Sequence, residues 1–225
     1  MERRRLLILS AAPALAGTRV ARAAEPSNSD AVAGIRAALE RGAVAAVALL
    51  GRPDGFLGNP RVRIPLPGFL EEAAKLLRFT GQQQRVDELV TAMNRAAEAA
   101  VPEAKTLLVN AVRSISVGDA RRIVSGGDDS VTRFFADKTR VPLAERFLPI
   151  VKRHTARVDL AGRFNAVAGR IAGLGLVKSE DANIDRYVTR KALDGLYLMI
   201  GEEERKIRRD PIGTGSAILA KVFGR

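Results

Sequence analysis

Asn94 and Glu98 are residues whose types and spacing could do chemistry. They lie four positions apart in MNRAAEAAVPEAK, residues 93–105 of a chain of 225 residues. On an α-helix this spacing places the amide and the carboxylate one turn apart, among small alanines. A carboxylate so placed can act as a general acid or base if a second carboxylate faces it across a cleft. It can equally tie the helix to a neighbouring segment through hydrogen bonds.

Two further carboxylates are candidates for that partner. Asp194 and Glu203 both belong to the last long helical pattern, and Glu203 projects into its apolar face. Glu98 and Glu203 acting as acid and base would make the protein a hydrolase or a lyase. We favour the alternative that each carboxylate is a structural group paired with Arg, Lys or backbone donors, since buried carboxylates require such partners. Arg190, one turn before Asp194, is a local candidate for this pairing.

Other catalytic and metal-binding constellations are missing from the sequence. The chain has one histidine, His154, and no cysteine, so nucleophilic triads and zinc sites lack their usual residues. We interpret His154 as a residue at the edge of an apolar helix stripe. The stretch GGDDS, residues 126–130, lacks the alternating ligands of a calcium loop, and a helix C-cap with a left-handed glycine before an N-cap explains it better. The sequence therefore predicts no metal and no cofactor.

Helical periodicity dominates the chain from residue 24 onward and predicts an all-α, single-domain helical bundle over residues 24–225. Prolines, glycines and cap residues give the expected helix boundaries. The predicted helices run from Ser29 or Asp30 to about Gly51, Pro67 to Gly81, Gln83 toward Ile115 with Pro102 either kinking the helix or starting a second segment, Gly118 to Gly126, Ser130 to Thr139, Pro142 to Thr155, Val158 to Gly173, and Asn183 to Asp210, followed by a short tail helix through Ile218 and Val222. The long helix from Asn183 to Asp210 is apolar nearly all round, so we expect it at the centre of the bundle.

Residues 51–67, GRPDGFLGNPRVRIPLP, interrupt the helical pattern with four prolines and three glycines. Arg61 and Arg63 alternate with apolar residues, so this long loop can hold a short extended segment. We expect Phe56 and the other apolar side chains to pin the loop to the core. The alternative is a binding loop that uses Phe56, Arg61 and Arg63, because connections of this length are often functional.

Residues 1–23 have the features of an export signal peptide. Three consecutive arginines precede a 12-residue apolar stretch, and a small-x-small end predicts cleavage between Ala23 and Ala24. A membrane-spanning helix needs roughly 20 apolar residues, so we expect no transmembrane anchor. Arg3 and Arg4 fit the twin-arginine route. The general secretory route stays open, since three arginines are also an ordinary basic start. Both routes predict a periplasmic protein.

The net charge of the chain limits the classes of partner that we expect. The formal net charge is +12, and residues 1–23 hold five Arg and one Glu, so the remainder holds 32 basic and 24 acidic residues, net +8. Export separates the protein from nucleic acid, and the interleaved aromatic residues of single-strand binders are missing. An anionic envelope component, such as a lipid head group or a polyanionic wall polymer, is the specific partner that this charge favours.

A series of ordered motifs resembles a known family. They are GIRAALERG, DGFLGNPRVRIPLP, MNRAAEAAVPEAK, SVGDARRIVSGGDDSVTRFF, FLPIVK, YVTRKALDGLYLMI, EEERKIRRDP and KVFG. Together they span Ile35 to Gly224 and resemble the bacterial domain-of-unknown-function family 4197. The resemblance implies an exported, mostly helical protein of Gram-negative-type bacteria with no established activity. We therefore expect a non-enzymatic binding or envelope-associated protein, with the carboxylate-based hydrolase or lyase as the alternative.

Overall fold

The computed structural model describes residues 28–165 and 183–210, and all regular secondary structure in these two ranges is helical. This confirms the predicted all-α bundle. Residues 1–27, 166–182 and 211–225 lie outside the described residues, and so do the expected signal peptide, its cleavage site, the second half of the helix expected over 158–173 and the expected tail helix. The described residues form these α-helices: α1 (Asn28–Leu50), α2 (Gly68–Phe79), α3 (Gln83–Ala100), α4 (Ala104–Arg113), α5 (Val117–Ser125), α6 (Ser130–Thr155) and α7 (Ile184–Arg209). Residues 159–165 are also helical.

Helix α7 is the central helix, as its sequence predicts. It packs against α1, α3 and α6, and most of its residues are buried. Helix α6 runs antiparallel to it: the Tyr197 hydroxyl lies 2.9 Å from Thr139 Oγ1, and Thr155 Oγ1 donates to Asp185 Oδ1 at 2.5 Å. Burial raises the pKa of Tyr197. None of the described helices combines the length and the apolar character needed to cross a membrane.

Helix α6 corrects one predicted boundary. We expected one helix to end at Thr139 and another to begin at Pro142, but α6 continues through Pro142 and Pro149 to Thr155. A proline inside a helix removes one i→i−4 hydrogen bond and usually kinks or ends it. Here α6 packs against both α3 and α7, and buried side chains recur along its whole length. Tertiary packing therefore outweighs the local cost of the two prolines.

The GGDDS stretch joins α5 to α6, and the predicted left-handed glycine cap is wrong there. Gly126 has φ −78° and ψ 166°, which any residue can adopt. A side chain at this position would instead collide, since a Cβ would lie 2.6 Å from Ser130 Cβ and 2.7 Å from the Arg122 carbonyl oxygen. Gly126 is therefore needed for the close approach of two helices. A left-handed glycine does close α2, at Gly81 with φ 79°.

The loop of residues 51–67 connects α1 to α2 and is pinned to the core, as predicted. Phe56 and Ile64 are buried, whereas Arg61 and Arg63 are exposed. The burial alternates as in a strand, but no strand forms within these residues. Phe56 packs on α7 at Gly195, where an added Cβ would lie 2.8 Å from the ring atom Cε1. This contact explains why a glycine is found in the middle of α7.

Candidate functional site

Glu98 is buried on α3, with 4% of its surface exposed, and faces the loop of residues 51–67. Its Oε1 accepts hydrogen bonds from the backbone N–H groups of Phe56 (3.0 Å) and Leu57 (3.1 Å). Its Oε2 accepts from Arg95 Nη1 at 2.7 Å. We predicted an Arg, Lys or backbone N–H as the partner of Glu98, and the structure contains both a guanidinium and backbone donors. Both carboxylate oxygens are occupied by structural donors.

Arg95 extends this network to the tip of the loop. Its Nη2 donates to Asp54 Oδ1 at 2.8 Å, and its hydrogen bond to Glu98 raises the pKa of Arg95 above the ordinary value. Asp54 has φ 64°, a left-handed conformation that favours Asn, Asp and Gly among all residues. The next residue, Gly55, lies against the end of α1, where a Cβ would be 2.7 Å from the Leu49 carbonyl oxygen. The tight turn thus presents the loop amides to Glu98.

Asn94 holds the loop at a second point, one turn earlier on α3. Its Oδ1 accepts from Ile64 N at 2.8 Å, and its Nδ2 donates to Ile64 O at 2.9 Å. The same Nδ2 donates to the Val90 carbonyl oxygen at 2.8 Å. The amide side chain therefore exchanges two hydrogen bonds with one residue, as opposite residues do in an antiparallel sheet. Asn94 thus satisfies both backbone groups of Ile64, as a partner strand would do in a sheet.

Asp194 is paired on the surface between α6 and α7. Its Oδ1 accepts from Arg140 Nη1 at 2.9 Å, and Arg190 Nη1 lies 4.0 Å from Oδ2. Sequence reasoning found Arg190 from the i,i+4 spacing but missed Arg140, which lies 54 residues away in the chain. The Arg140 guanidinium also lies 4.9 Å from the centroid of the Tyr197 ring. Asp194 is 43% exposed, so it is a half-buried ion-pair partner of two arginines.

Glu203 is half-buried near the end of α7, where its Oε1 accepts from Lys206 Nζ at 2.6 Å. It lies against α1, since a Cβ added to Gly42 would be 3.4 Å from Glu203 Cβ. Glu98 instead faces the loop, and the two carboxylates share no hydrogen-bond partner among the described residues. The structure therefore brings Asn94 and Glu98 together, whereas Asp194 and Glu203 have separate surroundings.

Three further carboxylates, none of them a predicted site residue, are buried: Asp185, Glu202 and Glu204. Asp185 accepts from Thr155, and Glu202 forms an ion pair with Arg61 of the loop. Arg61 was a candidate for binding a ligand, and in the structure it links the loop to α7. The pair joins residues 141 positions apart, so no local spacing could reveal it. The i,i+4 spacing to Arg208 was the available signal for Glu204.

Glu204 anchors the start of α6 to the end of α7. Its Oε1 accepts from Val131 N at 3.3 Å, from Ser130 Oγ at 3.2 Å and from Arg208 Nη2 at 2.8 Å. Arg208 Nη2 also donates to Ser130 Oγ and to the Ile123 carbonyl oxygen, each at 2.8 Å. This network satisfies helix-end groups, as a side-chain cap does. Its chemistry resembles that of Glu98, in which a carboxylate binds backbone and guanidinium donors.

A groove of about 370 Å³ lies between α6 and α7, on the face that carries Asp194. Ala144, Leu148 and Leu193 supply its apolar surface. Its polar lining residues are Arg140, Glu145, Arg186, Thr189 and Arg190. The volume falls in the range of about 300–1,000 Å³ that small-molecule sites occupy. Among the described residues, no group of three or more His, Asp or Glu is placed to hold a metal ion.

Comparison with known proteins identifies the family of the chain. No curated protein and no solved structure matches the chain. The profile of one family, described as proteins of unknown function, matches residues 25–224. This range includes the Asn94 and Glu98 network, the loop and the α6–α7 groove. The chain belongs to the domain-of-unknown-function family 4197 (DUF4197).

Proposed function

We propose that the protein is an exported, non-enzymatic binding protein of the bacterial envelope. The observation that carries this proposal is the saturation of Glu98 by two backbone amides and Arg95. An acid or base must reach the proton of a substrate, and these donors occupy both oxygens of Glu98. Glu98 and Glu203, which the hydrolase or lyase alternative requires as a pair, share no hydrogen-bond partner among the described residues.

The export part of the proposal is supported by the sequence of residues 1–23. A basic start, a short apolar stretch and the expected cleavage between Ala23 and Ala24 are the three parts of a signal peptide. The net charge of +8 on the remaining residues supports an anionic partner in the envelope. Twin-arginine transport through Arg3 and Arg4 would deliver the protein already folded.

Fractionation of cells that express the full chain tests export. We expect the shortened protein in the periplasm, and Arg3→Lys with Arg4→Lys should leave the folded precursor in the cytoplasm. The control is a chain with Lys in place of Arg19 and Arg22, which should be exported normally. Normal export of the Arg3 and Arg4 variant would contradict the twin-arginine route. Cytoplasmic location of the wild-type chain would contradict the proposal that the protein works in the envelope.

The non-enzymatic part is tested with the mature protein and a panel of envelope polymers, lipids and metabolites. We expect a thermal-shift response to at least one compound, with that compound recovered unchanged by mass spectrometry. The matched variants are Glu98→Gln and Glu203→Gln, whose effects on the free energy of unfolding should add within about 0.5 kcal/mol, as for separate sites. A product that the wild type forms and either variant does not would establish the hydrolase or lyase alternative.

A further inference from the structure

We infer that the groove between α6 and α7 binds a single-chain anionic amphiphile, with the chemistry of a fatty acid. This inference rests on the proposed binding function and names its ligand class. All eight lining residues lie in α6 and α7. The groove therefore belongs to a rigid, antiparallel helix pair, which is a suitable support for a binding site.

The apolar part of the groove fits an acyl chain. Ala144 and Leu148 lie one turn apart on α6, and Leu193 faces them from α7. Ala144 and Leu148 are half-buried, so they offer apolar surface that solvent reaches. Outside the groove lining, α6 and α7 also carry exposed apolar side chains: Val141 is 70% exposed and Leu198 is 38% exposed.

The charged part of the groove fits an anionic head group. Arg140, Arg186 and Arg190 line it against one carboxylate, Glu145. Asp194 pairs with Arg140 and approaches Arg190, so it limits the side-chain freedom of both guanidinium groups. Arginine matches a carboxylate or phosphate through two parallel hydrogen bonds. Arg186 lies one turn before Arg190 on α7 and is exposed, so it can complete the cationic rim.

Thr189 provides an independent observation. It lines the groove and is 5% exposed, and its Oγ1 is buried with no hydrogen-bond partner among the described residues. A buried hydroxyl without a partner costs free energy, and most such groups in proteins are satisfied. Since this hydroxyl is closed off from solvent, a ligand oxygen can accept its hydrogen bond only when the groove opens slightly at Thr189. Apolar surface, a cationic rim and an unsatisfied donor thus occur together.

The size of the groove favours a ligand with one acyl chain over a membrane surface as the partner. Its 370 Å³ lies at the low end of the range of about 300–1,000 Å³ for small-molecule sites, so a two-chain lipid would exceed it. The arginines also flank the apolar surface within the groove, whereas membrane-surface helices separate a broad apolar face from a basic one. We therefore assign a free acid with a single acyl chain as the ligand of the groove. Dodecanoate is the probe, and dodecanol is its uncharged control.

Isothermal titration of the mature protein with dodecanoate tests the inference. We expect saturable binding of dodecanoate and much weaker binding of dodecanol. Arg186→Gln should weaken dodecanoate binding about tenfold, as the loss of a charged hydrogen bond does. Arg113→Gln is the matched control, because it removes an exposed arginine from the end of α4 and should leave binding unchanged.

Two further variants separate binding at this groove from binding elsewhere. Ala144→Phe fills the apolar surface and should abolish dodecanoate binding. Thr189→Val removes the unpartnered hydroxyl at nearly constant volume, so it should weaken binding severalfold while stability is kept or raised. Circular dichroism and thermal melting confirm that each variant is folded. A folded Ala144→Phe variant that still binds dodecanoate as wild type does would overturn the assignment.

The remaining outcomes distinguish this inference from the proposed function. If dodecanoate does not bind but another envelope compound does, the groove ligand is wrong and the binding function stands. If dodecanoate is converted to a product, the non-enzymatic proposal fails. If the protein binds vesicles of anionic phospholipid but not dodecanoate, and Ala144→Phe leaves vesicle binding unchanged, the ligand is a membrane surface and the inference is refuted.

Discussion

Replacement of Glu98 by alanine should remove the anchor between α3 and the loop of residues 51–67. The variant leaves the backbone amides of Phe56 and Leu57 and the Arg95 guanidinium without their acceptor. Phe56 is fully buried, so water cannot replace the lost oxygen there without opening the loop. The truncated side chain would also leave a small cavity beside the loop.

The magnitude follows from these contacts. A buried donor left without an acceptor costs about 1–3 kcal/mol. The Phe56 amide should bear most of that cost, and the half-exposed Leu57 amide a smaller part. Arg95 is 37% exposed and keeps its pair with Asp54, so it adds little. We expect a loss of about 2–4 kcal/mol, which for a chain of this size lowers the melting temperature by about 5–15 °C.

Urea unfolding followed by circular dichroism measures this loss, and Glu98→Gln is the control. Gln keeps one oxygen for the two amides and loses the ion pair with Arg95, so it should cost only about 1 kcal/mol. Equal stability of wild type and Glu98→Ala would refute the structural role assigned to this carboxylate. An equal loss in the Ala and Gln variants would show that the charge, and not the acceptor for the amides, is what matters.

Three further predictions concern other parts of the fold. Phe56→Ala should lower the free energy of unfolding by about 3–5 kcal/mol through cavity formation. Gly195→Ala should cost far less stability in the Phe56→Ala variant than in wild type, because its Cβ would meet the Phe56 ring. A double-mutant cycle measures this coupling, and additive effects would contradict the contact. Asn94→Leu should lower stability by about 2–4 kcal/mol in urea unfolding, because Ile64 loses both polar partners; wild-type stability would contradict the role of that amide. Asp119 accepts hydrogen bonds from the backbone N–H and the hydroxyl of Ser116, which lower its pKa from 3.8 to about 2. The contribution of Asp119 to stability is therefore complete above about pH 4 and is lost as the pH falls toward 2. Asp119→Asn should thus make stability less dependent on pH in this acid range, and an unchanged pH dependence would contradict this assignment.

The sequence predicted what depends on local spacing. The break at Pro102 and the end of α2 at Gly81 both follow from a few neighbouring residues. The type of partner for Glu98 was also predictable, because a carboxylate on an alanine-lined helix face needs nearby donors. The central position of α7 followed from its apolar residues on nearly all sides.

What the sequence did not predict depends on tertiary contacts. Arg140 reaches Asp194 and Arg61 reaches Glu202 only because α6 and the loop fold against α7. Pro142 is tolerated inside α6 because helices pack on both sides, which local helix rules cannot anticipate. The α6–α7 groove likewise arises from the relative placement of two helices. A single sequence contains the residues of such contacts but not their pairing.

The anchoring of the loop by side chains has a consequence for amide hydrogen exchange. The amides of Phe56, Leu57 and Ile64 donate to Glu98 and Asn94, so their protection does not depend on a backbone ladder. Both acceptor residues, Glu98 and Asn94, belong to one helix, α3, and lie one turn apart. Detachment of the loop from α3 would therefore expose the three amides in a single opening event, while the helices remain formed. We therefore expect the loop to exchange as one cooperative unit, whose opening free energy can be measured separately from global unfolding.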